Sequence, residues 1–104
     1  MSKLHDASVN FDEFIRYGVV VVDFWAPWCG PCKLLEPVLD EVVEKCPTVT
    51  FGKVNVDNAQ DLAKEYKIMS IPNVCIFKNG ELVDQIIGLC DEDELYDAIQ
   101  AQLQ

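Results

Sequence analysis

Apolar and polar positions along the chain change period several times, and each change marks an element. Residues 19–25, VVVVDFW, form a nearly continuous β-branched and aromatic run, as expected of a central strand covered on both faces. Between residues 31 and 45, Leu34, Leu35, Val38, Leu39, Val42 and Val43 recur at helical spacing and predict one buried stripe. Pro37 lies inside that helix and predicts a kink, and Pro47 follows its end. Residues 48–56 read as a strand. Residues 73–78 and 81–87 read as two more, joined by Asn79-Gly80, the two-residue turn of an antiparallel hairpin.

The weaker signals fill the gaps. Asn10 with Glu13 predicts a helix cap with a reciprocal acid, opening a helix to residue 17 that Gly18 ends. Asp57 or Asn58 is expected to cap a helix to residue 66, with Leu62, Ala63 and Tyr66 facing inward. Asp91 with Glu94 predicts another box, opening a last helix to residue 103. Residues 3–5 are expected to form a short edge strand. The order is β-α-β-α-β-α-β-β-α, read as one domain over residues 1–104. Crossover helices in the first part require parallel pairing and right-handed connections. The last two strands form a hairpin. The expected class is therefore α/β, a central mixed β-sheet flanked by four helices.

Composition narrows the function. The 104 residues carry 8 basic and 18 acidic side chains, for a formal charge of −10. Such a balance repels phosphate backbones and anionic lipid, so no nucleic acid and no membrane partner is expected. No apolar run approaches the roughly 20 residues that span a bilayer. The opening MSKLHDASVNFDEF lacks an apolar stretch of signal type, so a cytoplasmic location is expected.

Two features then ask for chemistry. Asp23 is a lone carboxylate inside an apolar run, where the ionised form is costly to bury. Just downstream, Cys29 and Cys32 flank Gly30 and Pro31 where the strand gives way to a helix. Their sulfurs fall within one helical turn, and Pro31 suits a first-turn position. Cys29 then faces unpaired backbone N–H groups and the positive end of the helix dipole, which favour a thiolate. It is expected to be the exposed, attacking sulfur, with Cys32 shielded. Five cysteines at irregular spacing make a poor disulfide framework and suit one reactive pair plus three ordinary thiols. The rival readings are structural zinc and two inert core thiols. Zinc wants four ligands, and there is no second such pair and no histidine besides His5, so no metal is expected.

VVVVDFWAPWCGPCK at 19–33, KVNVD at 53–57, SIPNVCIFKNGE at 70–81 and Gly88 occur in the order and spacing found in thioredoxins. From about residue 10 to the last helix the chain resembles that family. The resemblance implies the thioredoxin fold and a thiol-disulfide oxidoreductase. It implies a general protein-disulfide reductase and electron carrier that cycles a Cys29–Cys32 dithiol and disulfide. No bound cofactor is implied. The implied partners are a thioredoxin reductase and disulfide-containing target proteins, and the implied state is a monomer. Cys29 would be the nucleophile and Cys32 the resolving sulfur. Asp23 would be the buried acid and base behind Cys32, with Lys53 as its partner.

The same resemblance makes Pro72 a cis-proline whose loop presents the Ile71 backbone to an extended target segment. Trp28, Gly30, Pro31, Val56, Ile71, Gly88 and Leu89 would form a flat apolar rim. Trp25 would pack against the active-site loop, with Phe24, Phe51 and Phe77 in the core. The chain departs from the family at Asn73, where threonine is usual, and this bears on target preference. Cys46, Cys75 and Cys90 have no counterpart. Cys75 reads as a buried small hydrophobe, Cys46 as partly exposed, and Cys90 as a thiol whose ionisation the acids of DEDE oppose. Two competing readings are a disulfide oxidant or isomerase and a thioredoxin-fold binding module with incidental redox activity. Within the family, Gly-Pro between the cysteines goes with a reductant.

Overall fold

The computed structural model describes residues 3–104. Its elements run β1 (His5–Asp6), α1 (Phe11–Phe14), β2 (Val19–Trp25), α2 (Gly30–Lys45), β3 (Thr50–Asn55), α3 (Gln60–Glu65), β4 (Asn73–Lys78), β5 (Glu81–Ile87) and α4 (Glu92–Gln102). The most apolar strand takes the middle of the sheet, whose order is β1-β3-β2-β4-β5. β2 pairs in parallel with β3 and antiparallel with β4, and β3 also pairs in parallel with β1. The β4–β5 hairpin is antiparallel and turns at Asn79 and Gly80, both at positive φ, as a tight hairpin turn requires.

The pleat of β2 divides the core. Val19 and Val21 pack with Leu35, Leu39 and Val42 of α2 and Leu95 and Ile99 of α4. Val20, Val22 and Phe24 face the other way, onto Phe11 of α1, Ile15 just past its end, and Leu62 and Tyr66 of the α3 segment. By the same alternation Asp23 lies on the α2 side. Each fully buried Leu or Val contributes roughly 1.5–3 kcal/mol of apolar transfer.

Several boundaries differ from the expectation. The edge strand is His5–Asp6 rather than 3–5. Asn10 does not cap α1 through its side chain. Its backbone is left-handed at φ 56°, whereas a side-chain cap needs an extended residue. α1 stops at Phe14, ahead of residue 17, and Gly18 closes the following loop at φ +68°. β3 is shorter than 48–56. Neither Asp57 nor Asn58 caps α3. The cap position falls to Ala59, and the Asp57 carboxylate accepts the indole N–H of Trp28 instead. Leu34 leaves the predicted stripe and is 63% exposed, while α2 runs on through Pro37. At α4 the predicted cap forms, with Asp91 accepting the Glu94 N–H at 2.8 Å.

Gly52 on β3 is required by close approach. A Cβ there would stand 2.6 Å from Cε2 and 2.7 Å from Cζ of Phe14, whose ring lies over the strand. Gly52→Ala should therefore push this ring off the sheet and cost about 1–3 kcal/mol, seen as a lower thermal midpoint. An unchanged midpoint would show that Phe14 does not depend on the bare strand.

Candidate active site

Cys29 ends the loop after β2 and becomes the N-cap of α2, with extended backbone at φ −89° and ψ 111°. Its Sγ accepts the backbone N–H of Cys32 at 3.2 Å, one of the donors a helix start leaves unpaired. Gly30 and Pro31 form the first turn, which contains no acid to oppose the dipole. Cys29 and Cys32 are joined as a disulfide, with a Cα–Cα separation of 5.3 Å. The expected contrast in exposure is absent: Cys29 is 5% exposed and Cys32 4%. The capping geometry folds the Cys29 sulfur back under the helix end, and the Ile71 carbonyl lies 3.8 Å from it.

That carbonyl belongs to the loop before β4. The Ile71–Pro72 peptide is cis, and the Gly88 N–H donates to the Pro72 carbonyl at 2.8 Å, tying the loop to the end of β5. Segments distant in the chain thus meet around one sulfur. Trp28 is 69% exposed and held by Asp57, with its Nε1 3.0 Å from Oδ2. Leu89 is 52% exposed, and Gly30 and Pro31 are exposed. Val56, Ile71 and Gly88 are half-buried. The expected rim residues therefore share one surface only in part, since Val56 and Ile71 also pack beneath the disulfide with Trp25. Sequence reasoning missed Met69, 91% exposed, and Ile87, 64% exposed. Their signal was available in the flanks of IPN and Gly88. The Trp28–Asp57 contact had no sequence signal, because it joins two loops.

Behind Cys32 lies a cavity of about 190 Å³ lined by Asp23, Cys32, Trp25, Glu36, Lys53 and Pro27 among others. Asp23 is 5% exposed, and its Oδ1 has no hydrogen-bond partner. Burial pushes its carboxyl up to about 7; Lys53 opposes this and Glu36 adds to it. Lys53 stands across from Asp23 in the β2–β3 register. It does not close the expected ion pair. Its Nζ lies 5.3 Å from the centre of the Trp25 ring, so it acts on Asp23 as a charge at a distance. Among the described residues the ion pairs are Lys3–Glu44, Arg16–Glu13 and Lys45–Glu92.

The other thiols lie elsewhere. Cys46, Cys75 and Cys90 are all buried, so the expected exposure of Cys46 does not hold. Burial drives the Cys75 and Cys90 thiols up to about 11, with Glu94 and Asp91 adding to the effect at Cys90. Among the described residues no three His, Cys, Asp or Glu side chains converge as a metal site requires.

The raised carboxyl has a consequence for stability. The unfolded chain loses the Asp23 proton near 3.8, and the folded protein keeps it to about 7. The folded state thus binds more protons over that window, and its stability falls as pH rises through it, by about 4 kcal/mol in full. Asp23→Asn should match the wild type near pH 4 and exceed it by about 2–4 kcal/mol at pH 8, read from denaturant midpoints of the oxidised proteins. Parallel pH curves would show that Asp23 is not the buried acid described.

The thioredoxin family profile matches residues 2–101. A thioredoxin of Chlamydia pneumoniae is 44% identical over 93 residues, covering 89% of this chain and 91% of that protein. A mutant thioredoxin from Halobacterium salinarum NRC-1 superposes with a TM-score of 0.88 at 35% identity, covering 97% of this chain and 89% of that one. The oxidised mitochondrial thioredoxin 3 of Saccharomyces cerevisiae gives 0.83 at 34% identity, covering 97% and 94%.

Proposed function

The chain belongs to the thioredoxin family and is a thiol-disulfide oxidoreductase acting as a protein-disulfide reductase, and on that footing we propose how its residues divide the work. In the dithiol form the thiolate of Cys29 attacks one sulfur of a target disulfide. A mixed disulfide forms, and the other target sulfur leaves as a thiolate. The Asp23 carboxylate takes the proton of Cys32 through the cavity that both residues line. Cys32 then attacks the Cys29 sulfur, the second target thiolate leaves, and two electrons have passed to the target. The product is the Cys29–Cys32 disulfide, the form seen here.

The observation that carries this reading is the sulfur of Cys29 at the start of α2, accepting the Cys32 N–H. Any negative charge on that sulfur is met by a backbone donor and the helix dipole. The Ile71 carbonyl beside it suits the backbone of an extended target segment, and Trp28, Pro31, Gly88 and Leu89 suit its apolar side chains. Lys53 serves as a charge that keeps Asp23 able to ionise near neutral pH.

The protein works as a single domain and a monomer, as an electron carrier in the cytoplasm, and a thioredoxin reductase returns the disulfide to the dithiol. The strong negative charge favours solubility and self-repulsion. Among the described residues no helix is long and apolar enough to cross a membrane. The reaction needs only two sulfurs and a proton acceptor, so no cofactor enters it.

Reduction of insulin disulfides tests the assignment. Cys29→Ser should lower the rate at least about 100-fold, and Cys32→Ser should accumulate the mixed disulfide with the target. Retained turnover in Cys29→Ser would point to a binding module instead. Turnover limited by the second step should rise with pH through about 7, and Asp23→Asn should flatten that rise.

A further inference from the structure

On a chain with 18 acidic and 8 basic side chains, two lysines stand at one apolar groove that starts beside the disulfide. The groove is open to solvent, has a volume of about 550 Å³ and is lined by Val56, Gln60, Ala63, Ile68 and Met69 together with Lys64 and Lys67. Val56 belongs both to the groove and to the packing around Cys29 and Cys32. Met69 lies just ahead of Ile71, whose carbonyl is 3.8 Å from Cys29 Sγ. A chain laid along Ile71 towards the sulfur therefore passes the groove mouth.

The segment of α3 sorts its charges by face. Ala63, Lys64 and Lys67 line the groove. Asp61 lines an adjoining hollow that shares Gln60 with the groove, and Glu65 lines a further one with Asp12 and Glu13. The groove side is thus basic within an acidic surface. The position of Lys67 is also costly. Ile68 N–H donates to the Ala63 carbonyl at 2.8 Å and Lys67 N–H to that of Lys64 at 3.1 Å, closing a helix end that holds Lys67 at φ 55°. Glycine takes this left-handed position with least strain. A lysine there puts a cation at the groove against the backbone preference.

We propose that this groove reads the flank of the target disulfide. It receives an apolar side chain near the target cysteine, while Lys64 and Lys67 meet carboxylates beside that side chain. Disulfide-bearing partners with acidic, apolar flanks are then reduced fastest. The net charge of the surface repels such a segment, so the two groove lysines help to set its register. The inference rests on Cys29 attacking target disulfides, as proposed above.

Two synthetic disulfide-linked peptides test it, alike except that one carries Leu, Asp and Glu next to the cysteine and the other Ser and Ala. The dithiol protein should reduce the acidic one about five- to ten-fold faster at low salt, with the ratio falling below about two at about 0.5 M salt. In Lys64→Gln/Lys67→Gly the ratio should fall to about one, and Met69→Ser should lower it as well. Lys67→Gly suits the left-handed backbone, so an undiminished thermal midpoint separates lost preference from lost fold. A wild-type ratio near one overturns the proposal, as does a ratio that survives the double substitution. Self-association of the wild type that the double variant abolishes, with a ratio near one, would assign the groove to a second copy and overturn it too. Failure of the wild type to reduce either peptide would overturn the thiol-disulfide reading itself, whereas equal reduction of both removes only the groove.

Discussion

The backbone N–H of Cys32 donates to the sulfur of Cys29, and the cysteine pair is built around this one contact. It exists because a buried strand ends where a helix begins, leaving N–H groups without partners inside the helix. A cysteine at the cap places a polarisable, ionisable atom where a serine or aspartate oxygen more often stands. The same atom that completes the helix is one half of the disulfide. Pro31 costs nothing in the first turn, because its missing N–H is one the helix does not use.

The second constraint is the carboxylate behind that helix. Asp23 occupies a position on β2 that alternation assigns to the core, and burial holds its proton to about 7. An apolar residue there would make a more stable protein at neutral pH. That loss of stability comes with a buried acid that ionises near neutral pH, in the cavity it shares with Cys32. Lys53 tempers the effect without cancelling it, since it faces the Trp25 ring and forms no direct pair with the acid.

The surface around the disulfide joins backbone to apolar side chains. The Ile71 carbonyl and the exposed Trp28 and Leu89 present little there that selects one side chain over another. Charge can bias such a surface without narrowing its chemistry. A molecule this acidic favours basic partners in general, and the lysines beside Val56 and Met69 are a local exception at the approach to the disulfide.

Much of this was legible in the chain. The continuous apolar run of β2, the period-3.6 stripe of α2 and the two runs that flank the Asn-Gly turn located β2, α2, β4 and β5 closely, because each signal lies within its own segment. The cysteine pair at a strand-helix junction, the Asn-Gly turn and the Asp91 cap are likewise local, since the residues that make them are neighbours. The short elements were placed less well. α1 and α3 owe their limits to a left-handed Asn10 and to an Asp57 claimed by Trp28. Only the tertiary structure decided that Cys29 is as covered as Cys32, that Lys53 turns to Trp25, that Leu34 is exposed, and that an apolar groove with two lysines opens near the disulfide. Periodicity acts between neighbours and so survives in one dimension. Burial, pairing and long-range charge depend on which distant segments the sheet brings side by side.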